Sequence, residues 1–185
     1  MSARPLRVLH VAHTTELGLQ TSAYHARMQA GRGWDVAIAC STDRGLDTWA
    51  GRIGVRHIPW EASREPGPAT AGEVARLARI VRAFDPDLVH LHSSKAGLAG
   101  RLVLRGRRPT VFQPHAWSFH AVSGPVERAA LAWERWGARW AHAVVCVSRA
   151  ERDRGARAGI RARYRVVASA IDVESLPVAT EEARA

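Results

Sequence analysis

The chain has 185 residues, a length that suits one domain or one large half of a two-domain enzyme. Its hydrophobic content of 46% fits a globular α/β protein, and no apolar run is long enough to span a membrane. The net charge of +10 comes from scattered arginines, without the basic and aromatic patterns of nucleic-acid-binding modules, so nucleic acid is disfavoured as a partner.

Strand and helix patterns alternate along the whole chain. The predicted strands are Leu6–Ala12, Asp35–Cys40, Val55–Pro59, Leu88–Leu91, Thr110–Gln113, Val144–Val147 and Tyr164–Ala168. The predicted helices are Thr21–Ala30, Asp47–Ile53, Gly72–Phe84, a helix that starts at Ala96–Gly100, Val126–Ala141, and one capped by Ser148 with Glu151. This alternation predicts a doubly wound, Rossmann-like parallel sheet with helices on both faces over residues 1–172, followed by a linker stub or flexible tail over 173–185.

The cellular compartment is predicted from the amino terminus and from the two cysteines. The amino terminus has no hydrophobic signal region. Cys40 and Cys146 each end an apolar run, which is typical of small buried residues in a reducing cytoplasm. We therefore expect a cytoplasmic protein with two free cysteines.

Histidines accumulate where the predicted strands end. Strands one, four and five are neighbours in the usual doubly wound order, and ligands bind beyond their carboxyl ends. Six of the nine histidines are expected to converge there: His10, His13, His90, His92, His115 and His120. Neutral imidazoles that bind hydroxyl groups are favoured over a metal site, because Glu16 is the only acidic residue nearby. For His10 and His90, a place in the core is the better interpretation.

The segment Ser93-Ser94-Lys95 forms a polar turn that opens a helix at this crevice. Free N–H groups, the helix dipole and the only lysine of the chain could together hold an anion or a sugar hydroxyl. The competing interpretation is ordinary N-capping by serine with an exposed lysine. For the two serines the alternatives are even, and for Lys95 the functional one is ahead.

Two nucleotide-binding or metal-binding patterns are rejected. The first turn, residues 14–20, contains one glycine, Gly18, and cannot form a dinucleotide cradle, and no P-loop motif occurs. Asp85-Pro86-Asp87 matches a metal-binding DxD superficially, but it precedes its strand and so lies at the wrong end of the sheet. It is predicted to be a turn.

A basic stretch with Trp133, Trp136 and Trp140 at helical spacing has two interpretations. Such a helix can lie in an anionic membrane interface. More often, an aromatic stripe packs against the protein itself, which is the interpretation favoured here.

Three segments resemble the amino-terminal half of GT4-type glycosyltransferases, which are retaining enzymes with the GT-B fold. They are residues 87–100 (DLVHLHSSKAGLAG), 114–119 (PHAWSF) and 144–153 (VVCVSRAERD). The resemblance implies a single GT-B half that binds the acceptor, with His115 as the catalytic residue at the reaction centre. It also implies substrate-binding roles for crevice residues, which with the positional argument gives His13, Gly18, His92, Ser93, Ser94, Lys95 and His120.

The resemblance also sets expectations about chemistry and partners. No metal and no cofactor is expected, and a nucleotide sugar serves as co-substrate. The family's paired glycines in the first loop are here Leu17-Gly18-Leu19, and its Pro-Asn-Gly is Ala168-Ser169-Ala170. The nucleotide-sugar-binding domain is expected on separate or missing sequence, so the chain alone should be inactive. The alternative is a non-catalytic binding or regulatory module, and an anionic membrane surface stays open as a further partner, with the protein peripheral to the inner face.

Overall fold

The computed structural model describes residues 4–14, 23–42 and 50–169. Its strands are β1 Arg7–Val11, β2 Asp35–Cys40, β3 Arg56–Pro59, β4 Leu88–His92, β5 Thr110–Gln113, β6 Ala143–Cys146 and β7 Tyr164–Val166. Its helices are α1 Ala23–Ala30, α2 Thr70–Phe84, α3 Ser93–Leu104, α4 Gly124–Gly137 and α5 Arg149–Arg157. Two single 3₁₀ turns, Ser118–His120 and Ala138–Trp140, flank α4.

The seven strands form one parallel sheet in the order β3-β2-β1-β4-β5-β6-β7. The chain runs outward from β1 to β3, returns to the other side of β1 with β4, and then continues to β7. This reversal between β1 and β4 is the switch point of a doubly wound fold, where strand ends leave a crevice. The predicted Rossmann-like α/β class is confirmed, and β1, β4 and β5 are neighbours as expected.

The two faces of the sheet differ in polarity. On one face Leu9, Leu91 and Phe112 join a large apolar core with residues of α2 and α3. On the other face Ile38 of β2 packs with Ala26 of α1 in a smaller apolar cluster. Strand side chains alternate between faces, so the histidines of β1 and β4 lie on the α1 side. That face is therefore apolar under β2 and polar under β1 and β4.

The turn predicted at residues 93–95 is instead the first turn of α3. The strand β4 ends at His92, and the helix begins at Ser93 without an intervening loop. This direct change of direction is made by Ser93 itself, whose φ of 75° lies in the left-handed region. A sequence pattern does not reveal such a conformation, because serine rarely adopts it.

Several local predictions agree with the structure. Ser148 caps α5, with its Oγ accepting a hydrogen bond from the Glu151 N–H at 3.1 Å. Asp85 ends α2 in a left-handed conformation and lies before β4, so the Asp85–Asp87 segment is a turn at the amino end of the sheet. Neither cysteine forms a disulfide, and both are buried. The predicted tail from residue 173 lies outside the described residues, and the single predicted helix over residues 126–141 is α4 followed by a 3₁₀ turn.

The helix α3 lies unusually close to the sheet because two of its residues have no side chain. A Cβ atom on Gly97 would overlap the Phe112 ring of β5, and one on Gly100 would overlap the Leu91 side chain of β4. The helix therefore sits directly on two strands, which fixes where its first turn meets the crevice. Only glycine permits this separation at positions 97 and 100.

We predict that Gly97→Ala destabilises the fold by about 1–3 kcal/mol, measured by urea unfolding. Alanine improves helix propensity by about 1 kcal/mol, but overlap with the buried Phe112 ring outweighs that gain. Gly51→Ala is the matched control, because Gly51 is helical and nothing lies within 4 Å of its added Cβ. Equal stability of the two variants would show that α3 does not need this close approach.

Candidate functional site

The carboxyl ends of β1, β4 and β5 bring together most of the residues predicted to bind a ligand. His13 follows β1, and its Nδ1 lies 2.8 Å from the Oγ of Ser93, which follows β4. His115 follows β5 and is half-buried. Ser94 is also half-buried, and its hydroxyl has no hydrogen-bond partner among the described residues. The Ser93 hydroxyl contacts His13. Neither serine caps α3, because the cap position is His92 and both serines lie inside the helix.

Behind this rim, histidine rings form a connected cluster under α1. The Nδ1 of His10 lies 3.0 Å from Nε2 of His92, and Nδ1 of His92 lies 3.3 Å from Nε2 of His115. His90 stands beside His92 with ring centroids 4.0 Å apart. The cluster arises because His10 and His90 are register partners on adjacent strands, while His92 follows on the same face.

The helix α1 completes the cluster with two residues that the sequence analysis did not identify. Gln29 places its Oε1 2.8 Å from Nε2 of His10, and His25 packs its ring 6.3 Å from that of His90. The two residues are four positions apart and so share one face of the helix. That spacing was the available signal for their common role. A helix with two polar residues on its buried face is expected to cover polar groups.

Burial keeps His10, His90, His92 and His115 neutral at physiological pH. It lowers the pKa of His10 and of His115 from 6.5 to about 4, and the charge of His25 acts in the same direction. The pKa values of His90 and His92 are lowered further below the usual range by burial and by the neighbouring imidazoles. Neutral imidazoles can both donate and accept hydrogen bonds, which suits them to hydroxyl ligands.

The backbone is strained where the rim is formed. His115 has φ of 56° and Ala116 has φ of 148°, so two consecutive non-glycine residues lie in the region that favours glycine. Ser93 is the third such residue at this edge. Each costs on the order of 1–3 kcal/mol, and residues of this kind concentrate at binding and catalytic sites. The strain turns His115 back from the end of β5 toward His92.

Lys95 does not lie where the sequence analysis placed it. The expectation of an exposed cation on the rim is wrong, because only 1% of the side chain is accessible and its Nζ lies 2.6 Å from Oε2 of Glu73. The ammonium also donates to Ser63, Glu65 and Thr70. Burial raises the pKa of Glu73, but hydrogen bonds from Lys95 and Ser63 outweigh it and lower the pKa overall. Lys95 therefore joins α3 to α2 and to the loop after β3, and it has no free donor for a ligand.

Three further candidate residues have different outcomes. His92 is completely buried, so it can act on a ligand only through another residue. His120 is exposed on the Ser118–His120 turn, with its ring against Phe119. Gly18 lies outside the described residues. Arg64, which the sequence analysis missed, is exposed and close enough to His13 for its charge to help burial lower the pKa of that imidazole.

One nitrogen from each of His10, His90 and His92 lies within 4.8 Å of the others, a separation at which a metal could be shared. In the structure, however, the facing nitrogens of His10 and His92 are at hydrogen-bonding distance from each other. No carboxylate or thiolate joins the three histidines in this group. Hydrogen bonding between neutral rings accounts for the positions of His10 and His92, while His90 packs its ring against that of His92.

The tryptophans of α4 and the following turn form a contacting group, while the helix itself buries only Glu134 and Gly137. Trp133, Trp136 and Trp140 contact one another, and the Arg101 guanidinium lies 5.2 Å from the Trp133 ring. Trp136 is 43% exposed, and Arg139 stacks on it. In the described part of the chain, no helix is both long and apolar enough to cross a bilayer.

Comparison of the sequence with protein-family models identifies the relatives of this fold. The model of Glycosyltransferase Family 4 matches residues 18–175, which is most of the chain. The chain belongs to this family. A search of curated protein sequences gives no significant match.

Solved structures of other proteins show the same fold. A glycosyltransferase from Rickettsia africae has a TM-score of 0.71 and 14% identity, with 97% of this chain and 48% of that chain covered. Alr3699/HepE from Anabaena, solved with UDP and glucose, has a TM-score of 0.69 and 19% identity, with 91% and 46% covered. MurG from Acinetobacter baumannii has a TM-score of 0.59 and 14% identity, with 89% and 45% covered. This glycosyltransferase family chain thus spans about half the length of each, and its sheet matches one GT-B half.

We predict that acid destabilises this glycosyltransferase domain between about pH 6.5 and pH 4. His10 has a pKa of 6.5 in the unfolded chain, whereas burial lowers its pKa in the folded protein to about 4. The stabilising contribution is therefore complete above pH 6.5 and is lost as the pH falls toward 4. His10 alone accounts for on the order of 3 kcal/mol. Thermal melts across this range test it. The exposed-histidine variant His120→Gln should keep the slope, His10→Gln should reduce it, and a flat wild-type profile contradicts the prediction.

We also predict that Lys95→Met destabilises the domain by about 3–5 kcal/mol, because Glu73 is left as an unpaired buried charge. Replacing both residues, as Lys95→Met with Glu73→Leu, should recover most of the loss. The control is Arg108→Met, which breaks an exposed pair with Asp85 and should cost under about 1 kcal/mol. Urea unfolding measures all three. A small effect in Lys95→Met would mean that the ammonium is solvated and available after all.

Proposed function

We propose that this domain is the acceptor-binding half of a retaining glycosyltransferase. In the complete enzyme, a sugar passes from a nucleotide-sugar donor to a hydroxyl of the acceptor at the edge formed by His13, Ser93, Ser94 and His115. The observation that carries the proposal is the strained His115 at the carboxyl end of β5, within a family of glycosyltransferases. Strain at this point is typical of a residue held for function.

The chemistry of the edge supports binding of hydroxyl groups. The His115 ring is neutral, half-buried and hydrogen-bonded to another neutral ring, so it can form a hydrogen bond with a hydroxyl group without a change of charge. Ser94, in the first turn of α3 after the neighbouring strand β4, offers a further hydroxyl. We assign His115 the catalytic position and the serines, with His13, the orientation of the acceptor and the transferring sugar.

Binding of the donor diphosphate requires positive charge or fixed N–H donors. The residues proposed to supply them differ from those that the sequence analysis suggested. Lys95 is already paired, so it is not assigned this task. Arg64 is exposed, and its charge helps to lower the pKa of His13. We propose that it contacts an anionic part of a substrate. The remaining donor contacts are proposed to come from a second domain, since the solved structures bound to UDP are about twice as long as this chain.

The experiment is an assay of the purified 185-residue chain against a panel of nucleotide sugars, alone and after addition of the donor-binding domain. We predict no multiple-turnover transfer by the chain alone, because transfer requires the donor and acceptor to be held together. Activity that appears only on mixing supports the proposal. Turnover by the chain alone contradicts it, and binding without turnover in every mixture favours the regulatory module.

In the completed enzyme, we predict that His115→Ala lowers turnover by about 10²-fold or more, as for loss of one preorganised hydrogen-bonding group. The fold should be retained, since His115 is only half-buried. His142→Ala is the matched control, because His142 lies beside β6 at the opposite, amino end of the sheet. Unchanged turnover in His115→Ala would remove it from the reaction centre.

Contact with an anionic membrane surface is a separate proposal that rests on α4 and its flanks. Val122, Val126 and Trp136 are exposed there among arginines. If this region touches a bilayer, co-sedimentation should require anionic vesicles and weaken with salt. Equal binding to neutral vesicles, or no binding at all, would leave the aromatic residues with their packing role alone.

A further inference from the structure

The histidines behind His115 form an unbroken chain of hydrogen bonds that ends on a glutamine. The contacts run from Gln29 Oε1 to His10 Nε2 at 2.8 Å, from His10 Nδ1 to His92 Nε2 at 3.0 Å, and from His92 Nδ1 to His115 Nε2 at 3.3 Å. The two central imidazoles each use both of their nitrogens. None of the four residues in this series of hydrogen bonds is charged.

A neutral imidazole has one N–H and one lone pair, so a ring that uses both nitrogens must donate with one and accept with the other. His10 and His92 are completely buried, and water cannot replace either contact. The tautomer of one ring therefore dictates the tautomer of the next. The hydrogen bonds of the whole series can therefore be donated in only two self-consistent directions. The group at the far end of the series selects between them.

The carboxamide of Gln29 selects the direction. Its Oε1 faces His10 and can only accept, so His10 carries its proton on Nε2 and presents a lone pair at Nδ1. His92 then donates from Nε2 and accepts at Nδ1, and His115 donates from Nε2. The remaining nitrogen of His115, Nδ1, has no hydrogen-bond partner among the described residues and is left as an acceptor.

We propose that Gln29 is a positioning residue that, through His10 and His92, fixes His115 as the Nε2–H tautomer whose Nδ1 accepts a hydrogen bond from a sugar hydroxyl. The last clause rests on the proposed function, whereas the tautomer does not. This relay, which runs Gln29–His10–His92–His115, accounts for the polar residues at positions 10 and 92 on this face of the sheet. Buried polar groups are costly unless they are satisfied, and in the relay both ring nitrogens of His10 and of His92 are used, which holds the His115 ring in one state.

The relay can be read without any substrate from the ¹⁵N resonances of the histidine rings in the labelled 185-residue chain at neutral pH. We expect an unprotonated Nδ1 and a protonated Nε2 for His115. Gln29→Glu should preserve this pattern, because a carboxylate also only accepts. Gln29→Met should produce a mixture of tautomers, whereas Met28→Leu, on the exposed surface of the same helix, should change nothing.

Three results would overturn the relay: a protonated Nδ1 on His115 in the wild-type chain, no change of tautomer in Gln29→Met, or a stoichiometric metal ion bound to the His10 and His92 nitrogens. If Gln29→Met fails to fold, the wild-type and Gln29→Glu spectra still decide the direction. In the completed transferase, turnover by Gln29→Met should fall by about tenfold or more, because part of the protein holds the wrong His115 tautomer, whereas Gln29→Glu should keep its turnover. A correct tautomer without any transfer would reject the proposed function and leave the relay standing.

Discussion

The close contact between α3 and the sheet determines the position of almost everything at the crevice. Gly97 and Gly100 let the helix rest directly on β5 and β4, and this depth buries both of its cationic side chains. Lys95 then pairs with Glu73 of α2, and Arg101 pairs with Glu134 of α4 at 2.9 Å. Glu134 also accepts from Ser118, beside the strained rim. One helix thus connects the loops on both sides of His115, so a change in its depth would move the whole edge.

The second determining feature is the cost of burying polar rings. Aliphatic residues at positions 10, 90 and 92 would give a conventional core, as they do on the opposite face at Leu9 and Leu91. His10 and His92 instead hydrogen-bond to each other, His90 packs its ring against that of His92, and all three stay neutral because desolvation penalises their charged forms. Together with the left-handed backbone at Ser93 and His115, they mark the part of the molecule that is not optimised for stability alone.

Much of this fold could be predicted from the sequence because period-two patterns and apolar runs define strands locally. The strand order and the meeting of His13, Ser93 and His115 follow from those elements by the rules of parallel sheets. The burial of Lys95 could not be predicted, since its partner Glu73 lies on another helix and no spacing rule connects them. The relay was missed for a related reason: Gln29 reaches His10 only because α1 crosses the face of the sheet at that point.

The distribution of charge over the described residues bears on which substrate this half serves. The buried polar groups at the strand ends are neutral, among them His92, Ser93 and Gln113, and the buried Lys95 is paired with Glu73. An ensemble of neutral donors and acceptors discriminates between hydroxyl groups by direction, whereas a diphosphate is stabilised mainly by charge. The exposed Arg64 is the exception, because its charge contributes to lowering the pKa of His13 and is open to solvent. The edge therefore fits the proposed acceptor role better than nucleotide binding, in line with the proposal that most of the donor site lies on a second domain.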